Sequence, residues 1–141
     1  MDQALKTRVA ILERCISEVL ASPVKADPSE FYLNPGEVVW RYFYYIPEQN
    51  MNLGELEQAL EKSCGFEITD HGCDGIIMLS KDVGLRSSTS YEHAENIEDS
   101  TIYDAQVGME ITIRSDDEES EVIQKALIAA KKLREIMAFF K

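Results

Sequence analysis

Long hydrophobic runs are missing from this 141-residue sequence. Its apolar stretches are a handful of residues long, against the roughly 20 that a bilayer-spanning helix needs. Basic residues are scarce, with 14 Lys and Arg against 26 Asp and Glu. The resulting net charge of −12 excludes ordinary nucleic-acid binding, because a phosphate backbone repels such a field. It also disfavours an anionic membrane surface. Cysteine is limited to Cys15, Cys64 and Cys73. An odd number of thiols, in a chain large enough to fold without cross-links, predicts free cysteines and a reducing, cytoplasmic compartment. The opening residues Met1-Asp2-Gln3-Ala4-Leu5-Lys6 lack a basic stretch followed by an apolar one, so they do not read as a secretory leader. No glycine-rich phosphate loop and no Asp-x-Asp-x-Asp-Gly calcium loop occurs.

What is present is the composition of a globular protein: 45% hydrophobic and 28% charged residues, enough to bury one core and too few residues for two. One domain over residues 1–141 is expected. Leu5, Val9, Leu12, Ile16 and Val19/Leu20 recur at three- and four-residue steps and predict a helix over 4–21, ended by Ser22-Pro23. Residues 23–36, with three of the four prolines, read as a loop. The run Glu37 to Ile46 is dense in β-branched and aromatic residues and predicts a central strand. Asn52 is a candidate cap for a short helix over 53–63 with Leu53, Leu56, Ala59 and Leu60 inward. Residues 66–69 and 76–80 read as a hairpin joined by Asp70-His71-Gly72-Cys73-Asp74-Gly75.

Further strands are expected over 85–91 and 102–114. In the latter, Val107, Met109, Ile111 and Ile113 alternate with Gly108, Glu110, Thr112 and Arg114, the period of a half-buried strand. Ser115 or Asp116 is the expected cap of a long last helix with the stripe Ile123, Ala126/Leu127, Ala130, Leu133, Met137 and Phe140. The expected fold is α+β: a mostly antiparallel sheet of about five strands, with N-terminal, middle and long C-terminal helices packed on it.

Charge is unevenly spread. Residues 87–104 hold Glu92, Glu95, Glu98, Asp99 and Asp104 with no Lys or Arg. Residues 116–121 hold another five carboxylates, Asp116, Asp117, Glu118, Glu119 and Glu121. The second block suits the positive end of the helix that follows it, and the cations farther along suit its negative end. The first block has no such structural reason. Its carboxylates repel one another, at a cost that folding does not require. Edged by Tyr91, Ile97 and Tyr103, it suits a Lys/Arg-rich protein surface. Tyr91, Glu92, Glu95, Glu98, Asp99 and Asp104 are therefore the candidate partner-binding residues.

Catalytic signatures are weak. Cys64, His71 and Cys73 are the one mixed grouping, unevenly spaced for zinc and without a second ligand pair, so no metal is expected. His71 and Cys73 would share a strand face as base and thiol, but nothing in a turn would hold them in line. His93 stands among acidic residues without an evident partner. No catalytic residue and no cofactor is expected. The aromatic strand has two readings: core filling, or a binding face made by Trp40, Tyr42 and Tyr44.

Three functional expectations follow. The first is a non-catalytic inhibitory protein, of the immunity, anti-defence or nucleic-acid-mimic type, that engages a basic protein surface. The second is a dimeric adaptor or secretion-type chaperone, self-associating as a homodimer through the C-terminal helix that ends Met137-Ala138-Phe139-Phe140-Lys141. The third is a small-molecule-sequestering protein using the aromatic strand.

Overall fold

Asp2 starts the first helix. Its carboxylate accepts the Leu5 N–H at 2.8 Å, satisfying one of the free donors at a helix start. The helix, α1 (Gln3–Leu20), closes on Ala21 in the left-handed region (φ 55°). The computed structural model describes residues 1–26, 32–48, 50–70 and 73–141. Among these residues the chain is α+β, with three α-helices and a six-stranded antiparallel sheet. After α1 come β1 (Tyr32–Asn34), β2 (Glu37–Tyr45), α2 (Leu53–Gln58) continued by a π-helical turn (Ala59–Ser63), β3 (Glu67–Ile68), β4 (Gly75–Ser80) and β5 (Val83–Glu92). A 3₁₀ turn (Ile97–Asp99), β6 (Thr101–Arg114) and α3 (Glu119–Phe139) complete the chain. The strand order is β1-β2-β6-β5-β4-β3.

β1 is the strand that the loop reading of residues 23–36 did not anticipate. Tyr32 pairs with Val39 and Asn34 with Glu37. The turn between them needs Gly36, whose φ of 70° an L-residue rarely adopts. At the other end, Glu67 pairs with Ile76 and Ile68 with Gly75, as the predicted hairpin requires. His71 lies outside the described residues. Asn52 caps α2 through the Glu55 N–H at 3.0 Å. Neither Ser115 nor Asp116 caps α3, which begins at Glu119. Asp117 instead turns inward, where its carboxylate accepts the Arg114 N–H at 2.9 Å.

Two compact units draw on these elements. The first comprises Met1–Tyr42, Met78–Gly84 and Met109–Arg134. Its core takes Leu5, Val9, Leu12 and Ile16 from α1, Val38 and Trp40 from β2, and Met109, Ile111 and Ile113 from β6. From α3 it takes Val122, Ala126, Ala129, Ala130 and Leu133. This stripe lies one residue away from the expected one at Val122, because Ile123 is only half-buried. Glu13 ties α1 down by accepting both the Trp40 indole N–H and the Ala26 N–H at 3.0 Å.

This unit also holds a partly buried charge network. Lys125 Nζ donates to the Thr112 carbonyl at 2.8 Å and to Asp117 Oδ2 at 3.0 Å, and lies 3.3 Å from Asp82 Oδ2. Arg114 meets Asp82 with two guanidinium nitrogens, at 2.9 and 3.2 Å. Lys125, near the start of α3, thus points into the fold, with its side chain 13% exposed.

The second unit comprises Phe43–Ile77, Leu85–Gly108 and Glu135–Lys141. Its core gathers Leu53, Leu56, Leu60, Cys64, Phe66, Cys73, Leu85, Ala105, Val107, Ile136 and Phe140. At the end of α3, Ile136 is buried where Met137 was expected. Gly108 lets β6 pass under Phe43, since a Cβ there would sit 2.8 Å from the ring. Val107, Met109, Ile111 and Ile113 are all fully buried, as their alternation foretells.

Candidate functional site

The acidic connection between β5 and β6 belongs to the second unit, and hydrogen bonds fix its path. Ser100, fully buried, accepts the Leu53 N–H on its carbonyl at 3.0 Å and the Ala94 N–H on its hydroxyl at 3.2 Å. Asn52 and Thr101 add an isolated antiparallel bridge. The 3₁₀ turn closes through the Asp99 N–H on the Asn96 carbonyl at 3.0 Å. Gly54 allows this turn to lie against α2: a Cβ at residue 54 would be 3.0 Å from Glu98 Cβ and 3.3 Å from its carbonyl oxygen. The first residues of α2 and the acidic connection are thus packed together.

That packing assembles a cleft of about 410 Å³ lined by Asn52, Gly54, Glu55, Glu57, Gln58, Glu61, Glu98 and Asp99. Five of these are carboxylates and none is a cation. Glu98 and Asp99 are two of the residues singled out from the sequence. Glu55, Glu57 and Glu61 were missed, although residues 53–63 contain three acids and a single base, Lys62, which is a readable signal. A concave surface of one sign, with low-dielectric protein behind it, focuses the field and draws in opposite charge.

The other candidate residues are placed differently. Glu92 and Glu95 are exposed and line no part of that cleft. Tyr91 is half-buried and meets the His93 ring edge-on at 4.9 Å. Asp104 lines a second cleft of about 330 Å³, with Ile46, Pro47, Glu48, Met51, Leu56, Ile102, Tyr103 and Ala105. α2 contributes to both clefts, with Leu56 on the second and Glu55 and Glu57 on the first. Of the aromatic strand, Trp40 is fully buried and stacks on Tyr42 with ring centroids 6.2 Å apart. Tyr42 and Tyr44 are half-buried, and burial raises the Tyr44 phenol above its ordinary pKa.

Cys73 is buried, at φ 57°, with its thiol 3.7 Å from the Leu53 carbonyl. Burial, reinforced by the nearby Glu57 carboxylate, pushes this thiol up to about 12. It is therefore protonated at neutral pH, the opposite of what a thiolate nucleophile requires. Among the described residues, no three His, Cys, Asp or Glu side chains are grouped to hold a metal ion. No helix among them is long and apolar enough to cross a membrane. No protein-family model, curated protein or solved structure matches the chain.

Proposed function

We propose that this protein is a non-catalytic, inhibitory binding protein that engages a basic protein surface through the acidic side of its second unit. The observation that carries this reading is the five-carboxylate cleft formed where α2 meets the β5–β6 connection. Like-charged groups held side by side on a packed framework cost stability. A cationic partner turns that cost into affinity and into a faster, salt-sensitive encounter. Glu92 and Glu95 extend the same sign along the connection and would steer the approach of such a partner.

The test is capture of partners by the tagged chain and by a Glu55→Lys, Glu98→Lys, Asp99→Lys variant. A single stoichiometric basic protein is expected, released as salt rises from about 0.05 to about 0.5 M. The variant should lose more than about tenfold in affinity. A partner held equally by both chains would remove this surface as the binding site.

A further inference from the structure

The second cleft joins features that the first lacks. Its more enclosed floor holds apolar residues, Leu56 and Ala105 buried and Ile46, Met51 and Ile102 half-buried, in a cleft whose open surface is more polar than apolar, while Pro47 is exposed. The floor is tied in place, because the Ile46 N–H donates to the Ala105 carbonyl at 2.9 Å and so holds the end of β2 to β6. Two carboxylates, Glu48 and Asp104, belong to the lining, and none of the described lining residues is a cation. Tyr103 stands at the cleft with 72% of its surface open to solvent, the most exposed large apolar side chain among the described residues.

A trough that combines apolar residues, two carboxylates and an exposed aromatic ring matches an amphipathic cation. The trough takes an alkyl stem, the carboxylates take a charged head, and the ring face attracts a cation laid over it. A volume of about 330 Å³ lies at the lower end of ligand pockets, which suits one long side chain and not a large ligand. A planar guanidinium can pair with a carboxylate through two N–H groups and stack on a tyrosine at once, which an ammonium cannot.

We infer that this cleft is a receptor for one arginine side chain of a basic partner. The inference rests on the reading proposed above and adds to it a specific anchoring site. The acidic cleft, which also takes residues of α2, supplies long-range attraction, and the arginine cleft sets where the partner sits. A partner with an exposed arginine next to further basic residues would satisfy both.

The probe is acetyl-Gly-Arg-Gly-amide, titrated into the ¹⁵N-labelled full chain and followed by amide chemical shifts. Saturable changes are expected at Ile46, Glu48, Met51 and residues 102–105, with affinity on the order of millimolar. The citrulline peptide, equal in shape but uncharged, should bind at least about fivefold more weakly. Tyr103→Ala, a change at an exposed side chain, should weaken the arginine peptide by about two- to fivefold. Equal binding of the arginine and citrulline peptides, or equal binding of a lysine peptide, would overturn the assignment.

A third pattern separates the two proposals. Shifts centred on Glu55, Glu98 and Asp99, lost in the charge-reversal variant and untouched by Tyr103→Ala, would overturn the arginine receptor and leave the acidic surface standing. No saturable shift at the second cleft up to about 50 mM peptide, well beyond millimolar affinity, would likewise remove the arginine receptor and leave the acidic surface to the capture experiment.

Discussion

Replacing Lys125 with methionine removes one charge from the network in the first unit while keeping most of the side-chain volume. Lys125 donates at 2.8 Å to Thr112 and at 3.0 Å to Asp117, with Asp82 at 3.3 Å. Removing one partner of a buried ion pair costs about 3–5 kcal/mol when the other charge is left alone. Here neither carboxylate is abandoned. Asp82 keeps the two Arg114 contacts, and Asp117 keeps the Arg114 N–H at 2.9 Å. The loss expected is therefore about 2–3 kcal/mol, the range of charge-assisted hydrogen bonds. Urea unfolding followed by circular dichroism would read it as a midpoint lowered by about 1 M or more at unchanged slope. Lys131→Met, at an exposed position of the same helix, is the control and should stay within about 0.5 kcal/mol.

The same network sets the sign of an acid effect. Arg114 and then Lys125 lower the Asp82 pKa against its burial. At Asp117, burial raises the pKa, but the Arg114 N–H and Lys125 outweigh it and the net shift is downward. A carboxyl whose folded pKa lies below its unfolded value near 3.9 contributes stability that is full above that value. The contribution disappears as pH falls from there through the lowered folded pKa. Wild type should therefore lose stability below about pH 4 more steeply than Lys125→Met does. A Lys125→Met loss under about 0.5 kcal/mol, or parallel acid limbs for the two proteins, would show that these charges behave as solvated surface pairs.

Gly108→Ala drives a Cβ to within 2.8 Å of the Phe43 ring and should cost about 1–3 kcal/mol in thermal unfolding, with part of the loss recovered by Phe43→Leu. Cys73 should resist thiol labelling at pH 7 in the native state and react once urea unfolds the chain, as mass spectrometry of peptides would show. Rapid native labelling would contradict its burial and its raised pKa. Glu13→Ala orphans the Trp40 indole N–H and should cost about 1–3 kcal/mol, whereas Glu13→Gln retains an acceptor and most of the stability. Equal losses in the two Glu13 variants would deny that hydrogen bond its role.

Local patterns were legible where a single period dominates. The β6 alternation and the Leu5-Val9-Leu12-Ile16 stripe follow from one-sided burial, and the structure buries those residues. The α3 stripe was harder to place. Around Ala126 to Ala130 every residue is apolar, so the run allows more than one inward face, and Val122 and Ile136 decide it only through tertiary packing. β1 escaped because a three-residue strand has no period; its trace was the turn-forming Asn34-Pro35-Gly36. Lys125 reads in sequence as one surface cation among five, since nothing local reveals Asp82 beneath it. The candidate site was half legible: the acidic block at 92–104 is plain in the chain. Its meeting with Glu55, Glu57 and Glu61 depends on the contact of Gly54 with Glu98, which joins residues more than forty apart.

The buried Ser100 has a kinetic consequence. Because its carbonyl and hydroxyl hold the acidic connection to α2 and to its own start, the path of that segment is fixed by the chain's own hydrogen bonds. Docking of the partner proposed above would then spend little on freezing a loop. Association should be a single exponential phase whose rate rises linearly with partner concentration and falls with salt, without the plateau that a slow folding step imposes. Ser100→Ala removes the hydroxyl that anchors Ala94 and would loosen the segment, moving the effect of a mutation outside both clefts into the on-rate.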